Sequence, residues 1–326
     1  MSKESLVEIV RYQPSHQKAW DEFVRNEANN APFFFQRAYL AYHQHRFVEH
    51  SLLVYQNNKI IVLLPATEDG QQLNSHGGLP FGGLVYHRQI SFEQLLATFQ
   101  KVLEYLTAQG FTKLVYKQVP AYFHIFPGEW EDYLLYVLKA ESHSSELNML
   151  VHLKEADRKV ESRRKRGGKK AVKRGLSFQE SNDWKGFWQV LEQNLQQRFG
   201  VNPVHTLAEI KTLKERFPEN IRLYTVVSES AVCAGTVVFL HPGLVHAQYI
   251  ATSPQGRASG ANDLLFDALM KRYSQKKYFS LGVSNTREGV QLNQGLLTWK
   301  ASWGARPVLH HRFEIPTVHS FLLDEI

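Results

Sequence analysis

The chain has 326 residues, of which 43% are hydrophobic and 21% are charged. This length and balance suffice for one large core or two ordinary ones, and they exclude a disordered tail, a collagen-like fibre and a small disulfide-stapled scaffold. The single cysteine, Cys233, excludes an internal disulfide and a thiolate metal cluster. The longest apolar stretch, residues 60–66, is far shorter than the ~20 residues of a membrane-spanning helix.

The formal net charge of +7 is concentrated in one segment. Between Lys154 and Arg174 the sequence has eleven basic and three acidic residues, whereas the rest has 27 basic and 28 acidic residues. A charge confined to one segment predicts a local phosphate-binding surface and not a generally basic protein. Residues 1–5 have neither an apolar core nor a cleavage site, so we expect no signal peptide and a cytoplasmic location.

The first half of the chain predicts alternating strands and helices. Asn57 and Asn58 tolerate the positive φ of a tight turn, so they predict a hairpin between two apolar runs. A glycine-rich piece, residues 75–83, follows, and residues 130–138 are an apolar helix or strand that the pattern does not separate. The predicted strands are 7–12, 51–55, 60–64 and 112–119, and the predicted helices are 14–24, 37–47 and 92–108.

The second half of the chain also predicts alternating strands and helices. The basic segment is predicted as a polar helix that breaks at Gly167 and Gly168, and Thr206 and Glu209 have the spacing of a capping box. The other predicted strands are 147–153, 176–179, 221–227, 232–240, 244–252, 278–283 and 308–315, and the helices are 184–199, 206–217, 261–273 and 292–303. Alternating elements in both halves predict mixed α/β layers, with a domain boundary near residues 140–150.

A glycine-containing loop at residues 253–260 joins a predicted strand to a predicted helix. Unpaired main-chain N–H groups and the positive end of the helix would converge there, which favours an anion. The alternative is an ordinary strand-to-helix turn, since many such turns contain glycine.

The order of elements and the run Arg257-Ala258-Ser259-Gly260-Ala261-Asn262 resemble the acyl-CoA N-acyltransferase (GNAT) superfamily. Its pyrophosphate loop reads Arg/Gln-x-x-Gly-x-Gly/Ala, and this chain departs from it at Asn262. The resemblance implies an acyl-CoA donor held by Thr252, Arg257, Ser259, Gly260, Ala261 and Asn262.

Residues 279–284, Gly289, residues 292–296, Lys300 and residues 303–305 resemble the FemAB branch of this superfamily. That branch attaches amino acids from aminoacyl-tRNA to peptidoglycan precursors, and its relatives include acyl-CoA-dependent enzymes of polysaccharide metabolism. The likeness covers residues 150–315 well and the first half only by element order. Two features depart from it: no charged heptad hairpin interrupts the second domain, and Ser284 stands where many members have glycine.

This resemblance implies an α/β fold of tandem GNAT-like domains, each a mixed, mostly antiparallel sheet flanked by helices. The first domain is expected at residues 1–147 as a degenerate copy. The second is expected at residues 148–326 as the acyltransferase domain.

Three residues near the carboxyl end are the candidates for catalysis. Lys300 would stabilise the oxyanion of acyl transfer or bind a substrate phosphate, or it is a surface lysine of an amphipathic helix. Ser284 and Asn293 are neutral hydrogen-bonding groups that would orient an amine, or they are a strand end and a helix cap.

The candidates for substrate binding lie in three places. Arg163, Arg164, Lys169 and Lys170 would bind the phosphates of a nucleotide-sugar, a lipid-pyrophosphate acceptor or tRNA, or they form a solvated helix face. Tyr249 would point into the cleft or pack in the core. The glycine-rich piece would line a cleft with Phe81 as a platform, or it merely joins strands.

A metal site is not expected. The closest histidine groupings are His43 with His45 and His310 with His311, and neither has the i, i+4 spacing with a glutamate that zinc hydrolases use.

The residues and the resemblance together favour transfer of an acyl or aminoacyl group to an amine of a sugar- or peptide-containing precursor. One alternative is an acetyl-CoA-dependent acetyltransferase of a small amine. Another is a non-catalytic RNA-binding protein on a transferase fold, using the basic segment. Direct attack by the amine is preferred over a covalent enzyme intermediate, since no Ser-His-Asp set is visible.

Overall fold

The computed structural model describes residues 7–286 and 289–326, except for the side chains of His43 and Phe199. The amino-terminal residues used to exclude a signal peptide lie outside the described residues. Within the described part, no helix combines the length and the apolar character needed to cross a lipid bilayer.

Strands and helices follow one another along the whole described chain. The strands are β1 (Val7–Arg11), β2 (Val48–Glu49), β3 (Leu52–Gln56), β4 (Lys59–Leu64), β5 (Thr67–Asp69), β6 (Gln72–Asn74), β7 (Val85–Tyr86), β8 (Lys113–Lys117), β9 (Glu141–His152), β10 (Ser177–Ser181), β11 (Ile221–Ser228), β12 (Ala231–Leu240), β13 (Leu244–Thr252), β14 (Tyr278–Val283), β15 (Asn285–Thr286), β16 (Gln291–Leu292) and β17 (Arg306–Pro316). The α-helices are α1 (Gln17–Glu22), α2 (Arg37–Leu40), α3 (Phe92–Ala108), α4 (Trp130–Val137), α5 (Ser162–Lys173), α6 (Trp184–Phe199), α7 (Leu207–Arg216), α8 (Pro254–Ser259), α9 (Ala261–Arg272) and α10 (Gln294–Ala301).

The chain forms two compact units. Unit 1 holds the described residues of 1–146, 289–290 and 309–326, and unit 2 holds 147–286 and 291–308. The sequence predicts residues 309–326 as part of the second domain, whereas in the structure they belong to unit 1. The reason is strand pairing, because Arg312 to Pro316 of β17 run antiparallel to Lys117 to Lys113 of β8.

Unit 1 has strands in the order β1-β3-β4-β7 and, separately, β17-β8-β6-β5-β2. The predicted hairpin is confirmed, because β3 and β4 pair around Asn57 and Asn58, whose φ values are 52° and 60°. The predicted helix at residues 92–108 is confirmed as well, and Ser91 begins it with a capping box to Gln94. Its buried face packs into a core of aliphatic side chains from β3, β4, β8 and α4.

Unit 2 is built on one mixed sheet in the order β10-β11-β12-β13-β14-β9. All neighbouring strands run antiparallel except β13 and β14, which are parallel. Helices α5 and α9 pack on each other, and the apolar face of α9 joins β11, β12 and β14 in a second core. The predicted α/β class with mixed, mostly antiparallel sheets is confirmed.

The basic helix α5 differs from the prediction, because it runs unbroken through Gly167 and Gly168. A Cβ on Gly167 would collide with the carboxylate of Asp263 on α9, and a Cβ on Gly168 would lie 3.6 Å from the α9 backbone. The glycines therefore let two helices approach closely, and they do not mark a break in the helix.

The predicted loop at residues 253–260 also differs, because most of it is the short helix α8. Ser253 caps this helix by accepting the N–H of Gly256, and Gly260 ends it with a φ of +84°. Gly256 is required because a Cβ there would collide with the carbonyl oxygen of Cys233 on β12.

Candidate functional site

A cavity of about 620 Å³ opens in unit 2 between the parallel strands β13 and β14. These strands pair only through residues 244–246 and 278–280, and residues beyond those pairs line the cavity. A bulge in β13 opposite Val237 and Val238 leaves Gln248 without a partner in β12 and places it in the lining. The lining residues are Leu191, Asn194, Leu195, Arg198, Ala247, Gln248, Ile250, Ala251, Thr252, Arg257, Asn262, Leu281, Gly282, Val283, Asn293, Gly295, Leu296, Trp299 and Lys300.

Lys300 is the most unusual of these residues. Its residue is only 2% exposed, and its Nζ donates to the carbonyl oxygens of Gly282, at 2.8 Å, and Val283, at 2.5 Å. Gly282 has a φ of +79°, a left-handed conformation that suits glycine. Burial without a carboxylate partner disfavours the ammonium form and lowers the pKa of Lys300 to about 7.

A histidine on β13 lies beside this lysine. A hydrogen bond of 2.9 Å joins His246 Nδ1 to Ser280 Oγ, and Ser280 Oγ donates in turn to Asn148 Oδ1. Burial, together with the charge of Lys300, lowers the pKa of His246 to about 4. His246 is therefore neutral at pH 7, and the cationic groups lining the cavity are Arg198, Arg257 and Lys300. The described lining contains no carboxylate.

Of the six residues expected to hold acyl-CoA, Thr252, Arg257 and Asn262 line the cavity. Arg257 Nη1 donates to the carbonyl oxygen of Thr252, at 2.7 Å, and to Oδ1 of Asn194, at 3.0 Å. Asn262 Oδ1 is buried and has no hydrogen-bond partner in the described part of the chain.

The other three residues, Ser259, Gly260 and Ala261, are not part of the lining. Ser259 Oγ donates to the carbonyl oxygen of Gly256, and a Cβ on Gly260 would lie 2.7 Å from the carbonyl oxygen of Gly167. Ala261 is fully buried in the core of unit 2. Their part in the structure is to seat α8 and α9 against neighbouring elements.

The main-chain N–H groups around α8 are mostly used within the turn. Those of Gly256, Arg257 and Gly260 bond to Ser253 Oγ, Ser253 O and Gly256 O. Asp263 and Leu264 at the start of α9 both donate to the carbonyl oxygen of Gly260. These five N–H groups are therefore already used and are not free for the anion that the sequence predicts.

Ser284 and Asn293 have mainly structural contacts. The N–H of Ser284 donates to Leu147 O, at 2.8 Å, and its carbonyl accepts the N–H of Asn293, also at 2.8 Å. Asn293 Oδ1 caps α10 by accepting the N–H of Leu296, and its residue lines the cavity. Ser284 is buried outside the lining, and its Oγ has no partner among the described residues.

The structure places Tyr249 and Phe81 in packed surroundings, which is the alternative to substrate contact for both residues. The Tyr249 ring packs edge-on against Trp188, and its hydroxyl bonds to His205 Nδ1 at 2.5 Å. Neither Tyr249 nor Phe81 belongs to the described lining of the cavity. Phe81 lies in unit 1, where its ring packs against Phe123 and other aromatic rings.

The four basic residues expected to bind phosphate divide into two kinds. Arg164 is mostly buried and pairs with Asp263 at 2.6 Å, so it fastens α5 to α9. Arg163 pairs with Glu161 on the surface, and Lys169 and Lys170 are exposed. Only the exposed residues remain available for a phosphate on this helix.

The histidine groupings have ordinary partners. His310 bonds to Tyr122 Oη at 2.6 Å, and His311 bonds to Ser145 Oγ at 3.1 Å. Among the described residues, no group of three or more His, Cys, Asp or Glu could hold a metal ion. The side chain of His43 lies outside them.

Sequence reasoning missed the α6 side of the cavity and the bulge in β13. Asn194 and Arg198 are four residues apart, so they share one helix face, which is a signal that the sequence did offer. Gln248 is a polar residue within an apolar strand, but nothing in the sequence announces the bulge that exposes it. Trp299 Nε1 is buried and has no partner among the described residues.

Residues 155–288 match the model of the Acetyltransferase (GNAT) domain. None of the curated proteins matches the chain in sequence.

Three solved structures have a similar fold, each at 12% sequence identity. FemX aligns over 98% of this chain and 100% of its own, with a TM-score of 0.68. A tandem GNAT protein from the clavulanic acid biosynthesis pathway aligns over 96% and 99%, with a TM-score of 0.52. L-PGS from Bacillus licheniformis aligns over 96% of both chains, with a TM-score of 0.56. Residues 155–288 therefore match a GNAT acetyltransferase domain, and the chain as a whole has a fold similar to that of FemX and the tandem GNAT protein.

Proposed function

We propose that the protein moves an acyl or aminoacyl group from an activated donor to an amine of a sugar- or peptide-containing precursor, and that the transfer takes place in the cavity of unit 2. The observation that carries the proposal is the buried amine of Lys300, which is fixed by two main-chain carbonyls at the wall of that cavity. A lone buried lysine is costly, and such perturbed groups cluster at functional sites.

The hydrogens on Nζ of Lys300 determine what this residue can contribute to the transfer reaction. In the ammonium form Nζ has three hydrogens, and the carbonyls of Gly282 and Val283 take two of them. The third is available for the oxyanion that forms when the acceptor amine attacks the donor carbonyl. The tetrahedral intermediate then collapses to an amide as the bond between the carbonyl carbon and the leaving group breaks. The proton lost by the acceptor nitrogen leaves with the thiol of coenzyme A or the ribose hydroxyl of tRNA.

Direct attack by the amine agrees with the surroundings of the single cysteine. Cys233 lies buried in β12, and burial raises the pKa of its thiol. A thiol in that state is a poor nucleophile. Cys233 is also outside the described lining of the cavity.

For the donor we propose an acyl-CoA, with an aminoacyl-tRNA as the alternative. Arg257 in α8 and Asn262 at the start of α9 would receive the pyrophosphate of coenzyme A. Leu191, Leu195 and Leu296 offer apolar surface to its pantetheine arm. Calorimetry with acetyl-CoA, with Arg257→Gln as the variant, tests this. Saturable binding that weakens in the variant supports coenzyme A, whereas no binding favours tRNA as the donor.

The protonation of Lys300 gives the test of catalysis. If its ammonium stabilises the oxyanion, kcat falls as the pH rises through about 7. Lys300→Arg keeps the positive charge well above that pH, so its residual activity has no decline there. Lys300→Met should lose roughly a hundredfold or more in kcat. A wild-type profile without the decline, or full activity in Lys300→Met, contradicts the assignment.

The RNA-binding alternative is tested on α5. Two results would support it. Binding of tRNA should fall steeply as the salt concentration rises, and the double variant Arg163→Glu with Lys170→Glu should abolish that binding. Transfer activity that survives these reversals, together with loss of activity in Lys300→Met, separates the enzyme from the binding protein.

A further inference from the structure

The charges that line the cavity of unit 2 are all positive among the described residues. The cations are Arg198, Arg257 and Lys300. Both arginines are exposed to solvent, whereas the residue of Lys300 is only 2% exposed. Charges interact most strongly where water is excluded, so the surroundings of Lys300 decide which acyl groups can lie beside it.

The oxygen atoms that could stabilise a second cation next to Lys300 are already used. The carbonyls of Gly282 and Val283 accept hydrogen bonds from its Nζ. Near the start of the same helix, Asn293 Oδ1 accepts the N–H of Leu296 at 3.0 Å. A further ammonium group would therefore meet a like charge here, with no carboxylate in the described lining to offset it.

A histidine beside Lys300 already experiences this effect. His246 Nδ1 bonds to Ser280 Oγ at 2.9 Å, which fixes the ring next to the lysine. Burial and then the positive charge of Lys300 lower the pKa of His246 to about 4. A second cation at this place is thus disfavoured within the protein itself, and a cation on a substrate would meet the same two effects.

Apolar side chains flank Lys300 on both elements that surround it. Val283 lines the cavity from β14, and Leu296 and Trp299 line it from α10. Leu296 precedes Lys300 by four residues, so the two share one face of the helix. The Trp299 ring packs edge-on against Phe266, with ring centroids 5.2 Å apart. The space beside the ammonium group is therefore suited to an alkyl chain.

We propose that this cavity accepts an uncharged, apolar acyl group and rejects an aminoacyl group. The inference rests on the proposed function and names the class of its donor. An aminoacyl group has its ammonium on the carbon next to the carbonyl, so that ammonium would lie beside Lys300 whenever Nζ donates to the carbonyl oxygen. An alkyl group in its place would contact Val283 and Trp299.

The transfer itself exchanges one bond of the acyl carbon for another. The acceptor nitrogen forms a bond to that carbon, and the bond from the carbon to the sulfur of coenzyme A breaks. The proton lost by the nitrogen leaves with the thiol. The acyl group keeps its charge throughout, so the preference for an uncharged group applies to the donor and to the amide product alike.

The test compares two stable analogues of acyl-CoA in which an amide replaces the thioester. The propanoyl and glycyl analogues have nearly the same shape, because one has a methyl group where the other has an ammonium group. In calorimetry at pH 6 we expect the propanoyl analogue to bind at least about tenfold more tightly. At pH 9.5 the difference should narrow to about threefold, because an α-amine with a pKa near 8 and Lys300 with a pKa of about 7 are both neutral there.

Two variants test the cause of the difference. Lys300→Met removes the cation and frees the carbonyls of Gly282 and Val283, so the difference at pH 6 should largely disappear. Arg198→Gln is the matched control, because it removes an exposed cation of the same cavity and should change both affinities alike. A difference that persists unchanged in Lys300→Met would overturn the inference.

A series of acyl lengths tests the apolar part. From the acetyl to the butanoyl analogue, the affinity should rise about three- to fourfold with each methylene. Val283→Thr keeps the size of the side chain and adds a hydroxyl, so it should reduce that rise. An affinity that does not rise with chain length would contradict the apolar site.

The outcomes separate this inference from the proposed function. If the glycyl analogue binds as tightly as the propanoyl analogue at pH 6, the inference fails and the proposed transfer stands. If neither analogue binds and coenzyme A itself does not bind, the acyl-CoA donor fails together with the inference.

Discussion

At the scale of single residues, burial of Lys300 lowers the free energy of unfolding by an amount that depends on pH. The unfolded chain keeps an ordinary lysine pKa near 10.5, whereas burial lowers that of the folded protein to about 7. Between these values the unfolded state binds the proton that the folded state lacks, so stability rises with pH across that window. Each pKa unit is worth about 1.4 kcal/mol.

We expect Lys300→Met to raise the free energy of unfolding at pH 7. The gain from removing the buried amine is offset in part by leaving the carbonyls of Gly282 and Val283 without a donor, which leaves a net gain of about 1–3 kcal/mol. The gain should shrink as the pH approaches 10. Urea unfolding at pH 7 and 9.5 measures this, with the exposed Lys185→Met as the control. A gain that does not change with pH would contradict the assigned pKa.

The sequence indicated part of this site and not the rest. Lys300, Arg257 and Asn262 stand in motifs of consecutive residues, and the structure brings them to one cavity. Gln248 and Asn194 reach it only because of a bulge and a helix packing angle, which no local pattern encodes. Tyr249 was a candidate on position alone, but its hydroxyl is used by His205.

At the scale of elements, the two adjacent glycines of α5 give a paired prediction. Gly167→Ala should destabilise the protein by about 2 kcal/mol, because its Cβ collides with Asp263 and disturbs the pair with Arg164. Gly168→Ala should stabilise it by about 0.5–1 kcal/mol, since its Cβ meets α9 at ordinary contact distance and alanine favours a helix. Chemical unfolding of both variants checks the opposite signs, and equal signs would contradict the packing described here.

Most elements follow from hydrophobic period and turn residues, as the helix at 92–108 and the strands of the sheet in unit 2 show. The differences at α5 and α8 have one physical origin. In α5 and α8, glycine allows close packing against a segment that is distant in the sequence. From the sequence alone, the same glycines indicate a break in a helix or a turn. Tertiary contact overrides the local preference at both places.

At the scale of the whole molecule, unit 1 depends on residues far along the chain. Ile315 and Leu323 are buried in its core, and Thr317 Oγ1 donates to Phe111 O at 2.7 Å. We expect residues 1–146 expressed alone to lack cooperative unfolding, and the same piece joined to residues 309–326 through a short linker to regain it. Circular dichroism during heating measures this. A cooperative transition in residues 1–146 alone would contradict it.

The same connectivity bears on synthesis at the ribosome. The sheet of unit 2 lies almost wholly within one stretch of chain, so translation can deliver all of it before β17 emerges from the exit tunnel. The edge of β8 must wait for β17, which is made some two hundred residues later. During that interval the nascent polypeptide carries an open strand edge, and a chaperone that covers such edges would raise the yield of folded protein.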